Sequence, residues 1–268
     1  MKLPFVISIP HCSSRVPEEI RQSMALNDLE IQESIDSCSR EIFQSLPAEA
    51  VLYAQWSRLT IDLNRDPKRR DKKGVIAQVD YYGRSIYNSD FILDEEEIKR
   101  RLAEYYRPFH NRLIEAFEGP HIKALFDCHS LNGIGPAEAP DVGEKRKDII
   151  LSNNGDKNGN SDGNRGRITC SSEYMHMMKK TFEKEGFSVS INDPYAGGFI
   201  MKNYGKKFAF NGKISVQIEI NQNLCLAPSS KYLSTSRVNN VKNRVLQAFL
   251  EIADKLDLSP DGNNGKPV

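Results

Sequence analysis

Residues Ile214 to Ile220 read ISVQIEI, the cleanest alternation in the chain: Ile214, Val216, Ile218 and Ile220 fall on one face, and Ser215, Gln217 and Glu219 on the other. Successive side chains of an extended strand point to opposite sides, so this is a strand with one apolar and one polar face. Glu219 stands in the middle of the polar face. If that face is solvated, Glu219 and Gln217 are surface groups; if it faces a cleft, Glu219 is placed to act as a general base.

Two other short runs behave in the same way. Phe5 to Ile9 (FVISI) is stopped by Pro10, which puts His11 at the C-terminal edge of a strand. Ala124 to Cys128 (ALFDC) delivers His129 and Ser130 to its end, ahead of a loop containing Gly and Pro. Arg58 to Asn64 (RLTIDLN) predicts a further strand, with Leu59, Ile61 and Leu63 opposite Thr60, Asp62 and Asn64, and Ser188 to Ile191 a short one. Between these runs the apolar spacing turns helical. Asn27 to Leu46, closed by Pro47, predicts a helix carrying Asp36, and Ile92 to Phe117 predicts two helical pieces divided near Arg107 by Pro108. Ser172 to Glu185 and Val238 to Leu256 complete the set, and Pro194 to Phe199, with Gly197 and Gly198, reads as a turn.

Short strands alternating with longer helices specify an α/β fold whose helices cover a mixed, largely parallel sheet, with reactive groups gathered at the carboxyl ends of the strands. The reading gives one domain over residues 1–256, a long mobile loop over Ser152 to Gly166 (SNNGDKNGNSDGNRG), and a flexible tail over 257–268.

The chain's 268 residues are enough for one substantial core, and 39% hydrophobic with 27% charged residues is the balance of a folded protein. Lys plus Arg (37) nearly cancels Asp plus Glu (36), which leaves no global field to draw the protein to nucleic acid or an anionic membrane. The basic cluster Lys68 to Lys73 (KRRDKK) reads as an exposed turn. No stretch is long and apolar enough for a membrane span, and MKLPFVISIP is too short an apolar run for a signal peptide. Five cysteines without a CxxC pair fit reduced thiols, hence a cytoplasmic location.

Of the 5 histidines, His11 and His129 share one placement at strand ends. Neutral imidazole is a good zinc ligand, and a catalytic zinc takes three protein ligands and leaves a position open; the competing reading is a pair of ordinary loop histidines. Cys12 and Cys128 adjoin these histidines, but neighbours on an extended chain point apart, and a buried inert thiol is the simpler reading for each. Asp127, two residues before His129, shares its face and can orient the imidazole or bind metal itself. Arg58, Arg65 and Arg107 flank strand and helix ends, where a guanidinium fork suits a substrate carboxylate or a surface ion pair.

Taken in order, SIPHCSSRVP, IDSCSREIF, SRLTIDLNRDP, RPFH, LFDCHS, NDPYAGGFIMKNYG and ISVQIEINQNLCL resemble the landmarks of the N-formylglutamate amidohydrolase family over most of residues 5 to 226. The resemblance implies a phosphorylase/hydrolase-like three-layer α/β/α fold and metal-dependent hydrolysis of a small N-formyl or N-acyl amino acid, with zinc or another divalent metal as cofactor. It maps His11 and His129 as metal ligands, Asp36 as the third with Asp127 as its rival, Glu219 as the base, and Asn64 and Arg65 as substrate-binding. Ser13 stands where the family motif has Gly, and SLNGIGP after His129 departs from the family pattern. The readings that compete with a formylglutamate enzyme are a zinc peptidase or deacylase acting on another N-acyl amino acid or a cell-wall peptide, and a catalytically silent ligand-binding member.

Overall fold

The three runs that end near His11, His129 and Glu219 form the middle of one sheet. In the computed structural model, which describes residues 2–257, six strands are seen: β1 (Leu3–Ile9), β2 (Ala48–Tyr53), β3 (Ala124–Leu131), β4 (Ile149–Ser152), β5 (Val189–Ile191) and β6 (Ile214–Asn221). They lie in the order β2-β1-β3-β6-β4-β5, all parallel except β4 against β6. The helices are α1 (Glu18–Arg21), α2 (Asp28–Glu33), α3 (Ser39–Phe43), α4 (Glu95–Arg101), α5 (Arg107–Glu118), α6 (Ser172–Lys184), α7 (Phe199–Phe208) and α8 (Thr235–Asp257). All but the first residue of the expected tail lies outside the described residues.

Alternation sorts the strands' side chains into two cores. Phe5, Ile7 and Ile9 of β1, Phe126 of β3 and Val216, Ile218 and Ile220 of β6 pack against α3, α6 and α8. α8 meets them with Val241, Val245, Phe249 and Ile252, spaced for one helical stripe. Phe249 sets its ring edge-on to Phe5, Phe43, Phe126 and Phe182 at centroid distances of 5.0–6.4 Å, and burying one such side chain contributes roughly 1.5–3 kcal/mol. On the opposite side, Val6 and Leu125 pack with Phe109, Leu113 and Phe117 of α5 and Ile200, Tyr204 and Phe208 of α7. Helices thus cover both faces, giving the three-layer α/β/α fold.

Register then lines up the polar residues. Ser8 pairs with Asp127, Asp127 with Gln217, and His129 with Glu219, so three adjacent parallel strands present their polar side chains together at their carboxyl ends. All of these are buried. The polar face of ISVQIEI is therefore covered.

Several expectations are corrected. Arg58 to Asn64 is a chain of turns and no strand, because side chains take over backbone bonding: Ser57 Oγ accepts the Leu59 N–H (3.2 Å) and Asp62 Oδ1 the Asn64 N–H (2.9 Å). The alternation still reports burial, since Leu59, Ile61 and Leu63 all enter the second core. Asp36 is not on a helix; the expected helix is split into α2 and α3, with the Asp36 N–H donating to the His11 carbonyl (3.0 Å) and Cys38 at φ 65°. Pro108 does not break the helical run from Ile92 to Phe117, because a π-helical turn at Leu102–Tyr106 carries α4 into α5. β3 runs on through Leu131, so His129 lies within the strand, and α7 begins where only a turn was expected. From Asn153 to Gly166 there is no helix or strand; buried Asn153 anchors the segment, its Nδ2 donating to the carbonyls of Gly159 and Cys170 (both 2.8 Å). No helix among the described residues is long and apolar enough to cross a membrane, and all five cysteines are unpaired.

Candidate metal centre

His11, in the turn after β1, and His129, on β3, bring their rings to 4.8 Å between centroids. Asp36, held over them by its backbone bond to His11, completes a buried group whose donor atoms lie within 4.8 Å of one another. Its Oδ2 is 2.7 Å from His129 Nδ1 and 3.5 Å from His11 Nδ1. At that distance His11 Nδ1 makes no hydrogen bond, and it is a buried polar atom without a partner among the described residues. Such an atom is costly unless something occupies the space in front of it. A cation there would satisfy it.

The far side of each ring supports this reading. His11 Nε2 meets Asp62 Oδ1 at 2.7 Å, and His129 Nε2 lies 3.1 Å from Asp127 Oδ2 and 3.0 Å from Asn64 Nδ2, which itself donates to that carboxylate. A carboxylate that accepts the Nε2 proton leaves the Nδ1 lone pair facing inward, the arrangement by which histidine ligands are oriented toward a metal. Asp127 is spent in this position, with Ser8 Oγ donating to Oδ1 (2.9 Å) and Asn64 Nδ2 to Oδ2 (3.1 Å). The group that can hold a metal contains Asp36 and not Asp127.

Electrostatics follow from the pairing. Burial would raise the Asp36 and Asp62 carboxyls, but the His11 and His129 imidazoles hold Asp36 far below the usual carboxylate range, and Arg58, then His11 and Arg65, do the same for Asp62. Burial would lower His129, but the charges of Asp127 and Glu219 raise it. Glu219 goes the other way: burial pushes its carboxyl up to about 8 against the pull of His129. Its Oε1 accepts from Gln217 Nε2 (2.9 Å), and Gln217 Oε1 accepts the Gly198 N–H at the start of α7 (2.6 Å). Glu219 lines the cleft, and among the described residues nothing hydrogen-bonds its Oε2.

The cleft, about 830 Å³ counting its solvent-filled mouth, is lined by His11, Asp36, His129 and Glu219 and also by Arg58, Asn64 and Arg65. Arg58 donates from Nη2 to Asp62 Oδ2 (2.7 Å) and approaches Asp36 Oδ1 with Nη1 (3.6 Å). Asn64 uses both ends of its amide, Nδ2 toward Asp127 and Oδ1 accepting the Ile200 N–H (2.7 Å), so that it ties α7 to β3. A side chain on Gly198 would run into that amide, which is why the turn before α7 carries glycine. Arg107 is a correction: it is exposed on α5 and does not line the cleft. Residues the motifs did not single out are Asp62, Tyr81, Arg146 and Tyr195. Asp62 carried a signal, its place on the polar face of RLTIDLN; the other three stand in no pattern that spacing reveals.

Comparison with known proteins agrees with this architecture. The family model described as N-formylglutamate amidohydrolase matches residues 3–226. N-formylglutamate deformylase of Pseudomonas putida is 26% identical over 228 residues, 76% of this chain and 75% of that protein, and the deformylase of Pseudomonas aeruginosa PAO1 is 24% identical over 225 residues, 76% of each. Among solved structures, N-formylglutamate amidohydrolase from Ralstonia eutropha JMP134 superposes with a TM-score of 0.77 at 21% identity, covering 96% of this chain and 94% of that one. A gene product of Agrobacterium tumefaciens gives 0.70 at 18% identity, covering 96% and 92%. These two share the fold.

Proposed function

The chain belongs to the N-formylglutamate amidohydrolase family, and on that premise we propose that it hydrolyses the amide bond of a small N-formyl or N-acyl amino acid, N-formylglutamate foremost, with a zinc ion held by His11, Asp36 and His129. The observation that carries the reading is the buried Nδ1 of His11, without a hydrogen-bond partner among the described residues, turned toward Asp36 while the Asp62 carboxylate holds the far nitrogen of its ring. Two imidazoles and one carboxylate are a donor set that suits zinc and leaves a coordination position open; other divalent ions compete for the same atoms.

When bound, the metal supplies Lewis acidity, polarising the acyl carbonyl and acidifying the water that attacks it. The chain's own groups do the rest. Glu219, held by Gln217 and free at Oε2, takes a proton from the attacking water and returns it to the leaving nitrogen. Burial raises its proton affinity, which favours its taking that proton. Arg65, with Arg58 behind it, faces the same cleft and offers positive charge to the carboxylate of the amino acid. Five unpaired thiols suit a reducing compartment, which makes the cytoplasm the proposed location.

The test is amine release from a panel of N-formylglutamate, other N-formyl and N-acyl amino acids and a cell-wall peptide. We expect the highest kcat/KM on N-formylglutamate, and expect Glu219→Gln to keep its metal while losing most turnover. Metal-loaded protein that releases no amine from any member would sink the proposal.

A further inference from the structure

Tyr81 lines the same cleft as His11, Asp36, His129 and Glu219, yet no motif pointed to it. It sits on a tight turn: Asp80 Oδ1 accepts the N–H groups of Tyr82 and Arg84 (both 2.9 Å), and Arg84 Nε donates to Asp80 Oδ2 (2.6 Å). The Tyr81 carbonyl accepts the Glu138 N–H at 3.2 Å, which ties the turn to the segment after β3. The backbone that carries the ring is therefore tied down on both sides.

Its hydroxyl is arranged in an unusual way. Arg58 Nη2 and Arg65 Nη2 both donate to the phenolic oxygen, each at 3.2 Å, and the Arg58 guanidinium lies 4.8 Å from the ring centroid. With its oxygen accepting from two cations, the phenol still has its own proton to give, and among the described residues it donates that proton to none. The same guanidinium that holds the hydroxyl approaches Asp36 Oδ1 at 3.6 Å. One guanidinium thus spans the distance from the phenol to the candidate metal group. An O–H polarised by two cations, on a residue that lines the cleft of the candidate metal group, is a group that stabilises developing negative charge.

We propose that Tyr81 is a further catalytic residue, donating a hydrogen bond to the acyl oxygen as that oxygen becomes negative. The assignment rests on the amidohydrolase reading. The water oxygen bonds to the acyl carbon and gives a proton to Glu219, while the carbonyl π pair moves onto oxygen, where the Tyr81 O–H meets it without transferring its proton. Collapse restores the C=O bond and breaks the C–N bond, and the proton on Glu219 goes to nitrogen. The products are a carboxylic acid and a free amine, and the acid then gives its proton to the amine or to solvent.

The experiment compares wild type and Tyr81→Phe as full-length, metal-loaded protein, reading kcat, KM, metal content, glutamate affinity and inhibition by a tetrahedral phosphonamidate analogue of N-formylglutamate. Removing one such donor is expected to lower kcat about 100- to 1000-fold. KM, metal content and glutamate affinity should hold, while the phosphonamidate weakens in step with kcat/KM. Replacing Tyr81 by 4-aminophenylalanine, which puts a neutral N–H donor in place of the hydroxyl, is expected to recover about tenfold of the lost kcat. Unchanged kcat in an active Tyr81→Phe, a rise in KM alone, loss of metal, or equal losses in the two variants overturns the assignment. A wild type without turnover overturns the amidohydrolase reading instead, and this assignment with it.

Discussion

At the scale of single residues, the carboxylates behind the two imidazoles decide which ring nitrogen faces inward. Asp62 is the sharper case, since its Oδ1 holds His11 Nε2 at 2.7 Å while its Oδ2 takes Arg58 Nη2 at 2.7 Å. In Asp62→Asn one oxygen must serve both neighbours. The buried Arg58 cation claims it, which turns the amide N–H toward His11 Nε2 and drives the ring proton to Nδ1, the atom that would bind metal. Zinc affinity measured against a chelating dye should fall about 10- to 100-fold with the fold intact, and an unchanged affinity would remove Asp62 from this role. His11 and His129 were legible in the sequence because both stand where a strand meets a polar residue. The role of Asp62 was not, because its partner lies 51 positions away and RLTIDLN reads as a strand when no neighbour is in view.

At the scale of elements, α5 is held against the turns that carry Asp62 and Asn64 by one neutral histidine. His110 Nε2 donates to the Leu63 carbonyl (3.0 Å) and Nδ1 accepts from the Tyr204 hydroxyl of α7 (2.7 Å). Burial lowers its pKa from 6.5 to about 4. The unfolded chain therefore binds the proton first, so stability is full above about pH 6.5 and falls as pH drops toward 4, by roughly 3 kcal/mol in all from this group. Urea midpoints across that window should fall more steeply for wild type than for His110→Gln, and parallel curves would contradict the account. Long, strongly periodic elements such as β6 and α8 were readable from spacing alone. The break between α2 and α3 was not, because it is set by a tertiary bond, from the Asp36 N–H to the His11 carbonyl, that outcompetes a helical pattern.

At the scale of the whole molecule, the parallel order of β1, β3 and β6 explains why residues from three distant parts of the chain converge. Alternation assigned each strand its polar face, but only pairing sets Asp127 beside Gln217 and His129 beside Glu219. Strand order and register depend on contacts between distant segments, which one sequence does not display. The ordered resemblance to a family filled that gap for His11, Asp36, His129 and Glu219. It assigned no role on the rim, where Tyr81 comes from a loop without periodicity outside the matching segments and Tyr195 stands unremarked within one of them.

The central claim is that one divalent metal, held by His11, Asp36 and His129, is required for turnover, and a metal titration tests it most directly. Protein stripped with a chelator should be inactive on N-formylglutamate and regain activity in proportion to added zinc, reaching a plateau at about one equivalent per chain. Full turnover by protein holding less than about a tenth of an equivalent of any divalent metal would contradict it.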